Sequence, residues 1–386
     1  MPDKIAVKGM GIISALGKGK TKNVEMLKQN SDRISPLTLF PNRESIPVCQ
    51  IEDIPADTVN RNDEFALLAI EEALEDAGLA VNTSILSNAA LLLGNTTVDA
   101  LEWEHKIRKD LANGNKHDSI LFGQGSMAGT LSSRIAERIG LTGIVLTYST
   151  SCTSSANALV QGVQLLQSNR AERVLVVGTE SLTSVSVRGF SSLSLLDSKG
   201  CFPFDRNRSG LLLGEGAAAI LLEKVSSNDD SVDPVILSGF NSCDLSHPTA
   251  SEETGIEGAR AMESAIADAG IKAEMIKAVK THGTGSPNND LAEGRALVRV
   301  FKDRVPPFVS LKRYFGHALG ASGIIEIVAF LSCIQRGFIP ASIGFSELDP
   351  DINLKPLSEN LEVKNGCFLF NSFGFGGNMV SIVIEV

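Results

Sequence analysis

The residue best suited to chemistry is Cys152, in the stretch STSCTSS (149–155), where six small hydroxyl-bearing residues surround one thiol. The apolar run VLTY precedes it and ANALVQGVQLL follows, so the pattern places the thiol at a strand-to-helix turn. Backbone amides and the dipole at a helix N-terminus stabilise a thiolate. The G-x-S-x-G spacing of a nucleophile elbow is absent. Taken alone, Cys152 is either an inert packing residue or a nucleophile.

Two histidines occupy similar positions in the second half of the chain. His282 lies in AVKTHGTGSPNND and His317 in SLKRYFGHALGASGIIE, each after a predicted strand and before a predicted helix. One such histidine is usually structural, but two flanked by glycines favour chemistry. Neither has a third ligand or a partner at helical spacing, so no metal site is predicted. His105 and His117, in a charged stretch, are predicted to lie on a solvated face.

A lysine and a glutamate flank the second histidine. Lys312 lies five residues before His317, and Glu326 lies nine after it in the apolar segment IIEIVAFL. A buried carboxylate without a partner is costly, so Glu326 is expected to form a structural ion pair. Lys312 is either that partner or a residue that orients a histidine.

The segment NSFGFGGNMVS (371–381) has glycines at 374, 376 and 377 between two apolar runs. It predicts either a flexible hairpin or a loop whose backbone N–H groups approach a substrate oxygen closely. It is not a nucleotide loop, because no G-x-x-x-x-G-K-[ST] follows, and GLLLGEGA (210–217) lacks a usable lysine.

Alternating strands and helices must position these residues. Apolar β-rich runs at 5–14, 89–95, 143–149, 173–181 and 217–225 alternate with helical patterns, including those at 64–79 and 157–169, and the scheme recurs after the polar stretch 226–234. This alternation predicts parallel sheets covered on both faces. The matching order predicts two pseudo-duplicated halves, residues 1–228 with the cysteine and 229–386 with the histidines and the glycine-rich loop.

Composition narrows the class of protein. The 386 residues are 43% hydrophobic and 21% charged, typical of a globular protein with a large core. A net charge of −10 without a long basic tract argues against a nucleic-acid binder. No apolar stretch reaches the 18 or so residues that span a bilayer. The six cysteines are scattered singly along the chain, so neither a zinc site nor a disulfide framework is predicted. The cytoplasm is therefore the expected location.

Taken together, these motifs resemble the β-ketoacyl synthases of the thiolase superfamily, the condensing enzymes of fatty-acid and polyketide assembly. The similarity runs along nearly the whole chain, through VKGMGIISALG, STSCTSS, FDRNRSGLLLGEGA, THGTGSPNND, SLKRYFGHALGASG and NSFGFGGN. The Cys-His-His set resembles the elongating branch rather than the Cys-His-Asn branch or the thiolases. The resemblance implies an α/β thiolase-like fold, with two βαβαβαββ halves forming a five-layered αβαβα sandwich.

The resemblance also implies residue roles. Cys152 would take an acyl group from an acyl carrier protein, and the N–H groups of Cys152 and Phe375 would form the oxyanion hole, with Phe375 also acting as a gate. His282 and His317 would stabilise the enolate formed when malonyl-carrier protein loses CO₂, and the dipole of the helix that follows His317 would disfavour its imidazolium. No cofactor is implied. The supporting residues would be Lys312 and Glu326, which order the site, Asp205 and Arg208 beside a neighbouring loop, and Gly374, Gly376 and Gly377.

Substrate length and partners are less defined. Trp103 is expected either near the floor of the acyl pocket or in a surface or dimer contact. The candidates for docking an acidic carrier protein are Arg206 and Arg208, with Lys106, Arg108 and Lys109, and a solvated or loop-supporting role is the alternative. A homodimer is the default, with a heterodimer containing a second ketosynthase subunit left open. A non-catalytic, chain-length-factor-like partner subunit is the rival function, although such subunits commonly lack the cysteine.

Overall fold

The computed structural model describes residues 3–42, 45–80, 86, 88–114, 128–226 and 233–386. The predicted boundary between residues 228 and 229 and the predicted surface residue His117 therefore lie outside the described residues. Within the described part, no helix combines the length and the apolarity needed to cross a membrane.

The described residues of the first half form nine strands. They are β1 (Lys4–Ser14), β2 (Gly17–Lys18), β3 (Ser35–Pro36), β4 (Pro47–Cys49), β5 (Ala90–Gly94), β6 (Val145–Tyr148), β7 (Arg173–Glu180), β8 (Leu213–Gly214) and β9 (Gly216–Val225). Five of them form one half of the main sheet in the order β6-β5-β7-β9-β1. Strands β6, β5 and β7 run parallel, and β9 is antiparallel to both β7 and β1.

The second half repeats this arrangement. Its strands are β10 (Val235–Cys243), β11 (Ile276–Lys280), β12 (Phe308–Val309), β13 (Phe338–Ile339), β14 (Leu361–Glu362), β15 (Cys367–Phe373) and β16 (Asn378–Glu385). The sheet order β12-β11-β15-β16-β10, with its parallel and antiparallel pairings, matches that of the first half strand for strand. A short antiparallel ladder between β1 and β10 joins the two halves. The predicted pseudo-duplication is confirmed.

The helices cover both faces of each half. They are α1 (Lys20–Lys28), α2 (Arg61–Asp76), α3 (Ala100–Ala112), α4 (Ala128–Ile139), α5 (Ser154–Gln167), α6 (Ser184–Ser192), α7 (Ile256–Asp268), α8 (Pro287–Phe301), α9 (Lys312–Phe315) and α10 (Ser322–Gln335). Helices α5 and α10 pack against strands of both halves, α2 and α4 cover the outer face of the first half, and α7 with α8 covers the second. The five-layered arrangement is therefore confirmed.

The two central helices explain why the site forms between the halves. Residues 322–334 of α10 are all buried, as expected for a helix that is enclosed on every side. A Cβ at Gly323 would lie 3.1 Å from Ala156, so glycine allows α10 to approach α5 closely. Helix α5 begins two residues after Cys152, and α10 begins five residues after His317, following the 3-10 turn Leu319–Ala321. Their N-termini therefore bring Cys152 and His317 to the same place.

Candidate active site

Cys152 lies in a tight turn between β6 and α5. A single 3-10 turn, Ser151–Thr153, connects to the helix, and Ser151 has a φ of 56°, a left-handed conformation that is uncommon for a residue with a Cβ. The hydroxyl residues hold this turn together: the Thr150 N–H donates to Ser154 Oγ at 2.9 Å, and Ser154 Oγ donates to the Ser151 carbonyl at 2.6 Å. Cys152 itself is 6% exposed and faces a cavity.

The structure brings the cysteine and the two predicted histidines together. Cys152 Sγ lies 3.0 Å from His317 Nε2, and the rings of His282 and His317 are 5.3 Å apart, nearly perpendicular. All three line a cavity of about 340 Å³. The thiol comes from the first half of the chain and both imidazoles from the second, so the site requires both halves.

The same three side chains could in principle hold a metal ion. Their ligand atoms lie within 4.8 Å of one another, so the structure supplies from Cys152 the third ligand that the sequence did not indicate for either histidine. A Cys-His-His set resembles the three-ligand sites of catalytic zinc. However, the charges of Lys280 and Lys312 act on these histidines, and buried ammonium groups oppose the binding of a cation.

A buried network of two lysines and one glutamate lies beside the histidines. Lys312 Nζ contacts Glu326 Oε1, which agrees with the ion pair expected from the sequence. Lys280 Nζ shares the same carboxylate, 3.0 Å from Oε2, and donates to the Asn371 carbonyl at 2.7 Å. Each of the three charged side chains is only 1% exposed. Lys280 was not anticipated, although a lysine ending an apolar strand two residues before His282 was a usable signal.

Both imidazoles are held in the neutral state. Burial, followed by the positive charge of Lys312, places the pKa of His282 and that of His317 well below the usual value, and Lys280 adds to the effect. The sequence attributed a disfavoured His317 imidazolium to the helix that follows. The direction agrees, but burial and the two lysines are the main causes.

The thiol is protonated in the resting site. Burial raises the pKa of Cys152 to about 11, although the charge of Lys312 and the backbone N–H of Phe375 act to lower it. The N-terminus of α5 therefore does not by itself produce a thiolate at neutral pH. The nearest proton acceptor is His317 Nε2.

Two further residues, not identified from the sequence, hold the histidines in place. Ser322 Oγ lies 2.9 Å from His317 Nδ1, and the Glu293 carboxylate accepts the backbone N–H groups of His282 and Gly283 at 2.8 Å each. Burial raises the pKa of Glu293 to about 7. A carboxylate on the apolar face of α8 and a serine in GASG were the only sequence signals, and neither indicates its partner.

The glycine-rich segment forms the turn of the β15–β16 hairpin, next to Cys152. A Cβ on Gly374 would lie 3.1 Å from the Cys152 nitrogen, so a side chain there would press on that amide. The backbone N–H groups of Phe375 and Cys152 both favour the thiolate form of Cys152 and so act to lower its pKa. The Phe375 ring stacks on Phe190 with centroids 5.6 Å apart. Gly377 has a φ of 78°, and a Cβ there would collide with the Asp244 carbonyl.

Asp205 and Arg208 support the loop around residue 346. The Asp205 carboxylate accepts the N–H groups of Ser346 and Glu347 at 2.6 and 2.7 Å. Arg208 pairs with Asp349, and only 6% of its side chain is exposed. Arg208 therefore fits the supporting role and not the docking role, because its charge is neutralised and enclosed. Arg206 is 57% exposed but pairs with Glu347 at 2.8 Å.

The remaining predicted residues lie on α3. Trp103 is half-buried, with Lys106 Nζ 4.9 Å from its ring centroid, and Lys106 and Lys109 are exposed. Arg108 lies over the Phe40 ring and near Glu104. Of the described residues that line the cavity at Cys152, none belongs to α3. The role of Trp103 in the acyl pocket stays a prediction.

Comparison with known proteins gives a consistent result over nearly the whole chain. The sequence profile described as "Beta-ketoacyl synthase, N-terminal domain" matches residues 2–228, and that described as "Beta-ketoacyl synthase, C-terminal domain" matches residues 235–346. Nodulation protein E of Rhizobium meliloti is 28% identical, and the match covers 98% of this chain and 98% of the relative. The 3-oxoacyl-[acyl-carrier-protein] synthase 2 of Coxiella burnetii is 26% identical, with 99% of this chain and 98% of the relative covered.

A solved structure agrees with these relatives. The structure described as "The ishigamide ketosynthase/chain length factor" superposes with a TM-score of 0.90 at 27% identity, and both chains are covered to 100%. The fold, the sequence profiles and the cysteine placed beside two neutral histidines all agree with an acyltransferase of the condensing type. The chain therefore belongs to the β-ketoacyl synthase family.

Proposed function

We propose that the protein is a β-ketoacyl-[acyl carrier protein] synthase in which Cys152 carries the acyl chain to be extended. The observation that supports this most directly is the 3.0 Å contact between Cys152 Sγ and His317 Nε2, in a cavity that also exposes His282. A thiol beside a neutral base is what covalent catalysis on a thioester requires.

In the loading step, Cys152 Sγ attacks the carbonyl carbon of an acyl thioester on the carrier protein. His317 Nε2 accepts the thiol proton, since the raised pKa of Cys152 leaves the thiol protonated at rest. The amides of Cys152 and Phe375 receive the negative charge that develops on the carbonyl oxygen. The carrier thiol leaves with a proton, and the acyl group stays on Cys152.

In the condensation step, malonyl-carrier protein binds next to the acylated cysteine. Neutral His282 and His317 each donate a hydrogen bond to the malonyl thioester oxygen, and this stabilises the enolate formed as CO₂ leaves. The carbanion carbon then attacks the acyl carbonyl. Cys152 is released, and the product is a 3-oxoacyl thioester two carbons longer.

The test is intact-mass spectrometry after incubation with acyl carrier protein loaded with acyl groups of several lengths. We expect one acyl adduct on the wild type and on Cys243→Ala, which removes the exposed cysteine near the glycine-rich turn and serves as the control. Cys152→Ala should carry none. Malonyl-carrier protein should then discharge the adduct as a 3-oxoacyl product. An adduct that persists in Cys152→Ala would overturn the assignment.

The second candidate is a non-catalytic partner subunit of a ketosynthase heterodimer. It is favoured by the similarity to a structure described as containing a chain length factor. Against it stands the complete set of Cys152, His282 and His317 around one cavity, with the buried Lys312 acting electrostatically on all three. The same assay separates the two, because a non-catalytic subunit would bind a partner synthase without forming an adduct of its own.

The proposal extends to the partners and the cellular location of the protein. We expect a homodimer served by an acyl carrier protein, with Arg206 and the α3 residues Lys106, Arg108 and Lys109 as docking candidates. The six cysteines are all free thiols, which supports the cytoplasm as the proposed location.

A further inference from the structure

We propose that Lys280 is a positioning residue of the condensation step: its buried ammonium, added to that of Lys312, gives the site the excess positive charge that favours His282 and His317 as neutral hydrogen-bond donors. This inference rests on the proposed condensation. It concerns a residue outside the Cys-His-His set and outside the Lys312–Glu326 pair.

The geometry of Lys280 explains how one side chain acts on the whole site. Lys280 ends β11, and His282 follows two residues later. Its Nζ lies 3.0 Å from Glu326 Oε2 on α10 and 2.7 Å from the Asn371 carbonyl on β15. β15 leads directly into the turn that holds Gly374. Lys280 therefore connects the strand before His282, the helix after His317, and the strand that leads into the glycine-rich turn.

The charge of the Lys280–Lys312–Glu326 network does not cancel, and Glu293, whose pKa is raised by burial to about 7, offsets it only in part at neutral pH. Lys280 and Lys312 share the single carboxylate of Glu326, so the network carries one excess positive charge when both lysines are protonated. Burial lowers the pKa of Lys280, and Glu326 opposes this effect. The titratable groups that act electrostatically with Lys280 come from α8, α9, α10 and the loops after β11 and α9: Glu293, Lys312, Glu326, His282 and His317.

The sharing of one buried carboxylate by two lysines is poorly explained by a contribution to folding stability. An unbalanced buried charge is unfavourable, and even a balanced buried ion pair can often be replaced by apolar residues of similar volume with no loss of stability. The excess charge is, however, useful to the reaction. It disfavours an imidazolium at either histidine, and it attracts the negative charge that develops as the malonyl group loses CO₂.

The test compares three substitutions at this position. Lys280→Gln removes the charge but keeps a donor for the Asn371 carbonyl, Lys280→Met removes both, and Lys280→Arg keeps the charge. We expect Lys280→Gln and Lys280→Met to lower the kcat of malonyl decarboxylation roughly tenfold, equivalent to about 1.4 kcal/mol. Both should leave the acylation of Cys152 within about threefold of the wild type, since Lys280 does not contact the thiol. Lys280→Arg should restore most of the decarboxylation rate.

Two further measurements separate this role from a structural one. The acid limb of the pH profile of decarboxylation should move to higher pH in Lys280→Gln, because removing a positive charge makes the imidazolium easier to form. Nuclear magnetic resonance titration of ¹³C-labelled histidines should show the same upward movement for His282 and His317, identified with His→Ala variants. This titration needs no turnover, so it tests the inference even if the proposed function fails. Unchanged histidine titration in Lys280→Gln would overturn it, as would equal losses in Lys280→Gln and Lys280→Arg.

Discussion

The position of one proton on His317 determines which step this residue can serve. To accept the Cys152 proton, Nε2 must be free, and then Nδ1–H donates to Ser322 Oγ. To donate to the malonyl oxygen, Nε2 must carry the proton, and then the Ser322 hydroxyl donates to Nδ1. A hydroxyl can do either, so the 2.9 Å contact supports both tautomers.

Ser322→Ala should therefore slow both acylation and condensation. We expect a loss of about tenfold in each, because a positioning hydrogen bond to a catalytic histidine is removed without changing its charge. Ser332→Ala is the matched control: Ser332 lies in the same helix, is buried, and its hydroxyl has no hydrogen-bond partner among the described residues. Single-turnover acylation and steady-state condensation measure the two steps. Equal rates in both variants would contradict a role for Ser322.

The reactivity of Cys152 should depend on pH in a way that reports its burial. Since the pKa of Cys152 is raised to about 11, the thiolate fraction should grow about tenfold per pH unit from pH 7 to pH 10. Alkylation by iodoacetamide, followed at Cys152 by peptide mass spectrometry, should rise in the same proportion. Lys312→Met should make it slower still, because the lysine charge lowers this pKa. A midpoint near pH 8.5, followed by a plateau at higher pH, would show an unperturbed thiol.

At the scale of elements, the sequence predicted most of what lies along the chain. The helix predicted at 64–79 runs Arg61–Asp76, and the helix predicted at 157–169 runs Ser154–Gln167. The hydrophobic periodicity and the turn residues of each segment predict its secondary structure from the local sequence. They do not reveal contacts between distant elements. Lys280 and Glu326 are 46 residues apart, so their shared ion pair depends on packing that no local pattern encodes.

The glycine-rich β15–β16 hairpin is the element whose backbone contributes most directly to the site. Gly374→Ala should lower kcat for condensation by about tenfold to a hundredfold, because the new Cβ, 3.1 Å from the Cys152 nitrogen, would displace an oxyanion donor. Gly189→Ala on α6 is the control, since a Cβ there meets no atom within 4 Å. Circular dichroism should confirm that both variants fold. Full activity in Gly374→Ala would show that this turn does not form the oxyanion hole.

At the scale of the whole molecule, the repeated strand order places a strand edge beside the nucleophile. Among the described strands, β6 pairs only with β5, so its other edge is open. Leu146, in the middle of β6, is 39% exposed. An open apolar edge is a site where a second chain can add a strand. Because β6 ends four residues before Cys152, a partner strand there would also steady the turn that carries the thiol.

We therefore expect Leu146→Lys to convert the proposed dimer into a monomer, because a charge on the edge strand opposes pairing with a second copy. Met275→Lys is the matched control, since Met275 is 50% exposed on a surface turn in the other half of the chain. Multi-angle light scattering gives the mass of each variant, and the acylation assay shows whether Cys152 reactivity falls with dissociation. A dimeric Leu146→Lys would place the interface elsewhere. A monomer that acylates normally would show that the β6 edge joins two copies without supporting the turn at Cys152.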